Sequence, residues 1–325
     1  LHPNLYLGDL RLHDRTGRQL LALPSVSATV SWWSVVAAEP RFESLEINRP
    51  ELDVRRGPDG VIAVAGVRIN PNTKEEGGGA DWLLRQREVV IREGRLSWTD
   101  ELRGAPTLDL SDVTLVLQNR WTTHRFALKA APPPGAGDPL DLRARFTHPP
   151  FGARPSDARR WKGQVYADLR NTDLAAWKQY VDYPFTVQQG RGSVRAWLDF
   201  DHARLAGFTA DLALAGVSAR LGADAPPLAL ARVSGRLSAS ETIAPNVEDG
   251  KPTFGALGHT IGLDNFSVVT ADGVVLPPAT LTETWHPAAR GQPERFEVRA
   301  EQLDVGALAT LAAQMPITPA QRQLL

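Results

Sequence analysis

Apolar and polar residues alternate with a period of two along most of this chain. In RPELDVRRGPDGVIAVAG, residues 49 to 66, Leu52 and Val54 face one way and Asp53 and Arg55 the other, while Pro58-Asp59-Gly60 turns the chain. The stretch predicts strand, turn, strand. The same period sets Leu45 with Ile47, Val89 with Ile91, Leu96 with Trp98, and Val113 with Leu115 and Leu117. It also sets Phe126 with Leu128 and Leu140 with Leu142, and it recurs in GQVYADLR, GSVRAWLDFD, GFTADLALAG and ARVSGRLSAS. Gly, Pro, Asp and Asn separate the runs at short intervals, as an antiparallel meander requires. The polar partners are mainly Arg, Asp, Glu, Thr and Ser, so the second face of the sheet is wet, unlike a parallel sheet covered by helices.

Internal similarity joins these strands into a repeating pattern. LGDLRLHD from Leu7, IREGRLSWTD from Ile91 and LDNFSVVTAD from Leu263 resemble one another, the first two overlaying Leu10 on Leu96 and Asp14 on Asp100. A second pair runs from a strand into an Asp suited to N-cap a short helix, Asp173 and Asp304. Apolar residues then fall at helical spacing, Leu174, Trp177 and Tyr180 in one copy and Val305, Leu308 and Leu311 in the other, before a proline, Pro184 or Pro316. Short helices are predicted over 173–182 and 304–314. Chance similarity between amphipathic strands is the alternative account of the repeats. Loops are predicted at 70–81, 130–139, 147–160 and 243–259; the one at 147–160 divides a β segment over 1–146 from a second over 161–325.

Composition removes several chemistries. The chain has 325 residues, 36 basic and 37 acidic, for a net charge of -1, so no overall field draws nucleic acid or an anionic surface. It has no cysteine, which excludes disulfides, thiolate metal sites and cysteine nucleophiles. The seven histidines, His2, His13, His124, His148, His202, His259 and His286, form no i,i+4 pair, and there is no P-loop and no GxSxG elbow. QQGRGSV, around Gly190 and Gly192, reads as a turn before a strand. Acidic pairs such as Asp100-Glu101 and Asp199 with Asp201 read as solvated carboxylates. No catalytic residue, metal ligand or cofactor is assigned. Of the nine tryptophans, Trp98 falls on the apolar face, and Trp32-Trp33, adjacent in a strand, are expected to point to opposite faces with one covered by another element. The chain begins without Met and carries no signal segment or spanning run, and it reads as a fragment of a longer protein.

RPELDVRRGPDGVIAVAGV, then DWLLRQREVVIREGRLSWTDELRGAPTLDLSDVTLVLQNRWTTHRFALKA, PLDLRARF and ALATLAAQMPI resemble the YhdP branch of the AsmA-like proteins of Gram-negative envelopes, most specifically over Arg49 to Phe146. The resemblance implies a mainly β fold, an elongated and highly twisted antiparallel sheet curled into an apolar groove with a few short helices. It implies a periplasmic bridge, anchored in the inner membrane by a segment absent here, that passes phospholipid between inner and outer membranes. Alternation alone favours a closed sandwich, in which a second sheet hides the apolar face. Against that stand the scarcity of long helices and repeats that define no compact seven-to-nine-strand module. With the resemblance added, the expectation is an open groove, reachable by solvent and lined by Leu52, Val54, Val89, Ile91, Leu96, Trp98, Val113, Leu115, Leu117, Phe126, Leu128, Leu140 and Leu142. The alternative is a non-conducting β scaffold that binds partner proteins of the envelope.

Overall fold

The structure, a computed structural model, describes residues 2–13, 19–64, 67–69, 79–151, 154–181, 186–202, 204–220, 227–241, 257–288, 291–301 and 303–312. The chain divides into two compact units, Leu1–Ala167 with Phe200–Arg204, and Asp168–Asp199 with Leu205–Leu325. The 147–160 segment lies inside the first unit, where Asp157 caps a 3-10 turn over Ala158–Arg160.

The first unit is built from β1 (Asn4–His13), β2 (Gln19–Val30), β3 (Phe42–Asn48), β4 (Glu51–Arg56), β5 (Ile62–Val64), β6 (Val67–Ile69), β7 (Glu88–Asp100), β8 (Leu108–Arg120), β9 (Thr123–Ala131) and β10 (Leu140–Thr147). Two short helices interrupt them, α1 (Trp33–Ala37) after β2 and α2 (Gly79–Arg85) before β7. The division between the units falls within β11 (Lys162–Asp173). The second unit adds α3 (Leu174–Trp177), β12 (Thr186–Asp201), β13 (Arg204–Arg220), β14 (Leu228–Glu241), β15 (His259–Thr270), β16 (Val275–His286), β17 (Arg295–Glu301) and α4 (Val305–Ala312). The fold is mainly β, as the alternation predicts.

Most neighbouring strands pair antiparallel, and the hairpin expected at 49–66 is present: Val54 pairs with Val64, and the Gly60 N–H donates to the Gly57 carbonyl. The sheet is nevertheless mixed. β3 and β4 both lie parallel to β7, with Leu45 beside Val89 and Leu52 beside Leu96. The two strands are one line broken at Arg49 (φ 53°) and the buried Pro50, which the backbone of β7 bridges on both sides, through the Arg49 N–H to Arg92 carbonyl and the Arg95 N–H to Pro50 carbonyl bonds. A parallel return needs a crossover. The segment holding β5, β6 and α2 supplies it, a long-range connection that local alternation does not reveal.

Left-handed residues recur where the ladders slip. Glu93 (φ 53°) and Asp112 (φ 50°) mark the bulges between β7 and β8, and Asn265 (φ 47°) the one between β15 and β16. A bulge spends one extra residue to keep the same face forward while sharpening the local bend and twist. The apolar set therefore stays on one side of β7, running Val89, Ile91, Gly94, Leu96, Trp98 across the bulge. The turn expected at Gly190 and Gly192 is not a turn: both lie inside β12. A Cβ at Gly192 would sit 2.1 Å from the Ala213 carbonyl oxygen and 2.8 Å from the Leu214 Cα, so glycine serves there to let β12 lie against β13.

The helices near Asp173 and Asp304 form, each capped as expected. Asp173 accepts from the backbone N–H groups of Ala175 and Ala176, and Asp304 from that of Ala307. The first is shorter than predicted, one helical turn followed by turn residues to Val181; position 182, Pro184, residues 313–314 and Pro316 lie outside the described residues. The expectation for Trp32 and Trp33 fails. Both sit at α1 rather than in a strand, and both are exposed, 59% and 64%; Ala38, in a left-handed conformation, ends the helix ahead of β3.

Candidate functional site

The register of the first unit aligns apolar side chains into rows that cross the strands. One row runs Leu7, Val26, Ile47, Ile91, Leu115, Leu128, Leu142 through β1, β2, β3, β7, β8, β9 and β10. At about 4.8 Å per strand it extends roughly 29 Å. A second row alongside runs Leu5, Ala28, Leu45, Val89, Leu117, Phe126 and Ala144. Beyond the bulges, Leu52 pairs with Leu96 and Leu96 with Leu110, then Val54 with Trp98 and Trp98 with Leu108. Val113 lies opposite Gly94, and Leu140 opposite Ala130. All thirteen residues named from sequence thus share one face of the sheet.

That face is not uniformly reachable, which corrects the expectation of solvent access. Val89, Ile91, Val113, Leu117 and Leu140 are buried. Helix α2 accounts for Val89 and Leu117: Trp82, Leu83 and Leu84 pack on a cluster of Val26, Ala28, Leu45, Val89 and Leu117, and the Phe42 and Trp82 rings meet edge to face at 6.1 Å. Leu52, Val54, Leu96, Trp98, Leu115, Phe126, Leu128 and Leu142 remain half-buried. On β1, Leu5, Leu7 and Leu10 are exposed at 45%, 43% and 49%.

A polar latch fixes α2 in place. Gln86, fully buried, accepts from the Phe42 N–H and donates to the Trp82 carbonyl. Asn119 donates to the carbonyls of Leu83 and Gln86, which leaves its Oδ1 as an acceptor for His124 Nδ1 at 2.7 Å. His124 therefore carries its proton on Nδ1, and its buried Nε2 has no partner. The ring stacks between His148 (5.2 Å) and Trp161 (5.6 Å). Burial, with a smaller contribution from the neighbouring His148, lowers its pKa from 6.5 to about 4, so it is neutral at pH 7. The loop from 154 to 161 is tied to the same helix, the Ser156 N–H donating to buried Asp81 and Trp161 Nε1 to the Pro155 carbonyl. Asp81, expected in a loop, lies in the first turn of α2.

The second unit repeats the arrangement. Leu214, Val233, Val268 and Leu276 form a row across β13 to β16, and Ala210, Leu237, Leu263, Leu281 and Ala300 another across β13 to β17. Leu174 of α3 and Ala307 and Leu311 of α4 pack on the first of these. The apolar face of this unit also holds a polar pair that sequence reading missed. Glu283 pairs with Ile261 and Val298 and sits 4.0 Å from His259 Nε2. In LTETWH, Glu283 falls two residues after Leu281 and two before Trp285, so the same alternation places it on the face of Leu281.

Asp100, Glu101 and Asp201, read from sequence as solvated carboxylates, are engaged in ion pairs. Buried Asp100 meets Arg56 and Arg103, Glu101 meets Arg55, and Asp201 meets Lys162 and His202. No group of three or more His, Asp or Glu suited to a metal occurs among the described residues, and no described helix is long and apolar enough to cross a membrane.

These features define a β-sheet protein in which each unit carries an apolar face with short helices packed on part of it. The family model described as YhdP protein matches residues 1–325, so the chain belongs to the YhdP family, as the resemblance implied. Neither a curated protein nor a solved structure matches it.

Proposed function

We propose that the chain is a segment of a periplasmic lipid-transfer bridge, which holds phospholipid acyl chains on its apolar face between the inner and outer membranes and is anchored in the inner membrane by a part of the protein outside this chain. The observation that carries the reading is the seven-strand row from Leu7 to Leu142, along which Leu128 and Leu142 stay half-buried and outside the cluster under α2. Burial of hydrocarbon is worth ~0.8 kcal/mol per methylene, so an acyl chain of about 14 methylenes on this face is held against water by roughly 11 kcal/mol. Exchange with a bilayer trades one hydrocarbon-like environment for another, and its net cost is near zero. Movement then needs no specific site, which fits a function without catalytic groups, cofactor or nucleic acid.

Delipidated protein mixed with vesicles containing fluorescent phospholipid should take up lipid at a fixed ratio per chain, and native mass spectrometry should find lipid on freshly purified material. A folded protein that takes up none would leave the scaffold reading, in which the sheet binds envelope proteins.

A further inference from the structure

The polar face of the first unit carries its own site. There most arginines are answered by carboxylates: Arg11 by Asp9, Arg55 by Asp53 and Glu101, Arg87 by Glu43, Arg92 by Glu46 and Arg143 by Asp141. Three are not. Arg120, Arg125 and Arg145 have no carboxylate partner among the described residues, and together with Gln118 and Thr123 they line a concavity of about 140 Å³. Arg125 and Arg145 are directly opposed in the β9–β10 ladder, Gln118 is opposed to Arg125 across β8–β9, and Arg120 is opposed to Thr123. An acid on the same face, Glu88, accepts through Oε1 from Gln118 Nε2 at 2.9 Å.

Like charges directly opposed across an antiparallel pair are destabilising. An oxyanion between them removes that repulsion and accepts from two guanidinium forks at once, the geometry in which arginine binds phosphate best. The Cβ atoms of such a pair lie about 5 Å apart, so the flexible side chains can bracket a group of phosphate size, with Gln118 and Thr123 offering further polar contacts. We propose that Arg120, Arg125 and Arg145 form a phosphate-binding site, taking the phosphate of a phosphomonoester or phosphodiester, either free or on a lipid headgroup. Trp121, in the turn between Arg120 and Thr123, is 78% exposed, and an exposed indole beside basic groups suits the headgroup level of a bilayer.

The test is calorimetric titration of the whole chain with inorganic phosphate at low ionic strength, beside flotation with vesicles of phosphatidylcholine containing one fifth phosphatidylglycerol. Wild type should bind phosphate at one site, and the double variant Arg125→Gln/Arg145→Gln should lose at least tenfold in affinity while unfolding at an unchanged or higher temperature. Arg11→Gln should bind as wild type does. A headgroup source predicts that wild type also floats with the vesicles, that phosphate competes, and that Trp121→Ala weakens flotation but not phosphate binding. Phosphate binding without flotation assigns the site to a free phosphate compound. Absence of phosphate binding by wild type, or equal binding by the double variant, overturns the site.

Discussion

Acidification should release the latch on α2, and His124 sets the window. Its folded pKa, about 4, lies below its ordinary 6.5. Between those values the unfolded chain binds more protons than the folded one, so stability falls as pH drops through 6.5 and levels off below about 4. The whole shift corresponds to about 3 kcal/mol as an upper bound, of which about 2 kcal/mol is lost between pH 7 and 5. Glu43 and Asp157 have pKa values lowered chiefly by hydrogen bonds to Ser31 and Arg159, and Asp211 by its bond to Arg236; stability from these carboxylates is present above their ordinary values and lost only at lower pH. The interval from pH 7 to 5 therefore lies above the range in which these carboxylates lose their contribution, and comparison with a His124 variant isolates this histidine. His124→Asn keeps a donor near the Nδ1 position for Asn119 and removes the titration. Urea unfolding should show wild type losing stability over this interval while His124→Asn, weaker at pH 7 for lack of the stacked ring, stays flat. Amide exchange at Leu83 to Gln86 should accelerate in wild type alone, since Asn119 holds those carbonyls. Parallel pH profiles for the two proteins would refute the assignment.

Three further outcomes are expected. Gly192→Ala places a Cβ 2.1 Å from a backbone oxygen of β13, so thermal unfolding should show a loss of about 3 kcal/mol or more. Gln86→Leu leaves the half-buried Phe42 N–H without its acceptor and should cost about 1 to 3 kcal/mol by chemical denaturation, with faster exchange at Phe42. Leu128→Asp, which sets an unpaired charge between Leu115 and Leu142, should abolish phospholipid uptake at matched stability, while Leu128→Ala leaves most of it; equal uptake by both would count against acyl chains on this face.

Strand identity was legible because the period is two and the turn residues are explicit: Leu52, Val54, Val113, Leu115 and Leu117 fall inside strands and on one face. The N-caps at Asp173 and Asp304 were legible for the same reason, a local motif with a local partner. What alternation could not show depends on distant chain. The parallel pairing of β7 with β3 and β4 needs a crossover of some thirty residues, and the latch joins Phe42, Gln86, Asn119 and His124 from four elements. Glycine misled in both directions. At Gly192 it marks close packing of two strands, whereas the bulges at Glu93 and Asp112 use residues whose left-handed conformation no sequence rule flags.

The coverage of the apolar face decides which residues can hold anything besides protein. Helix α2 has seven residues and a length of roughly 10 Å, against roughly 29 Å for the seven-strand row. It can seal only one end of the strands, and the buried cluster shows which end: Ala28, Leu45, Val89 and Leu117 occupy the row beneath Trp82, Leu83 and Leu84. These side chains behave as a small core, and shortening them should weaken the fold without touching any ligand. Leu96 and Trp98, a bulge away along β7, and Leu128 and Leu142, one and two strands beyond β8, have no place in that cluster and are half-buried. A face built only to be hidden would carry its bulky residues under the helix and small or polar ones elsewhere. Here leucine, phenylalanine and tryptophan continue past the helix in register from strand to strand, so the candidate surface for acyl chains is the part of the face that α2 leaves uncovered, centred on Phe126, Leu128 and Leu142 on one side of the bulge and on Leu52, Val54, Leu96 and Trp98 on the other, while Leu115 packs against the cluster under the helix.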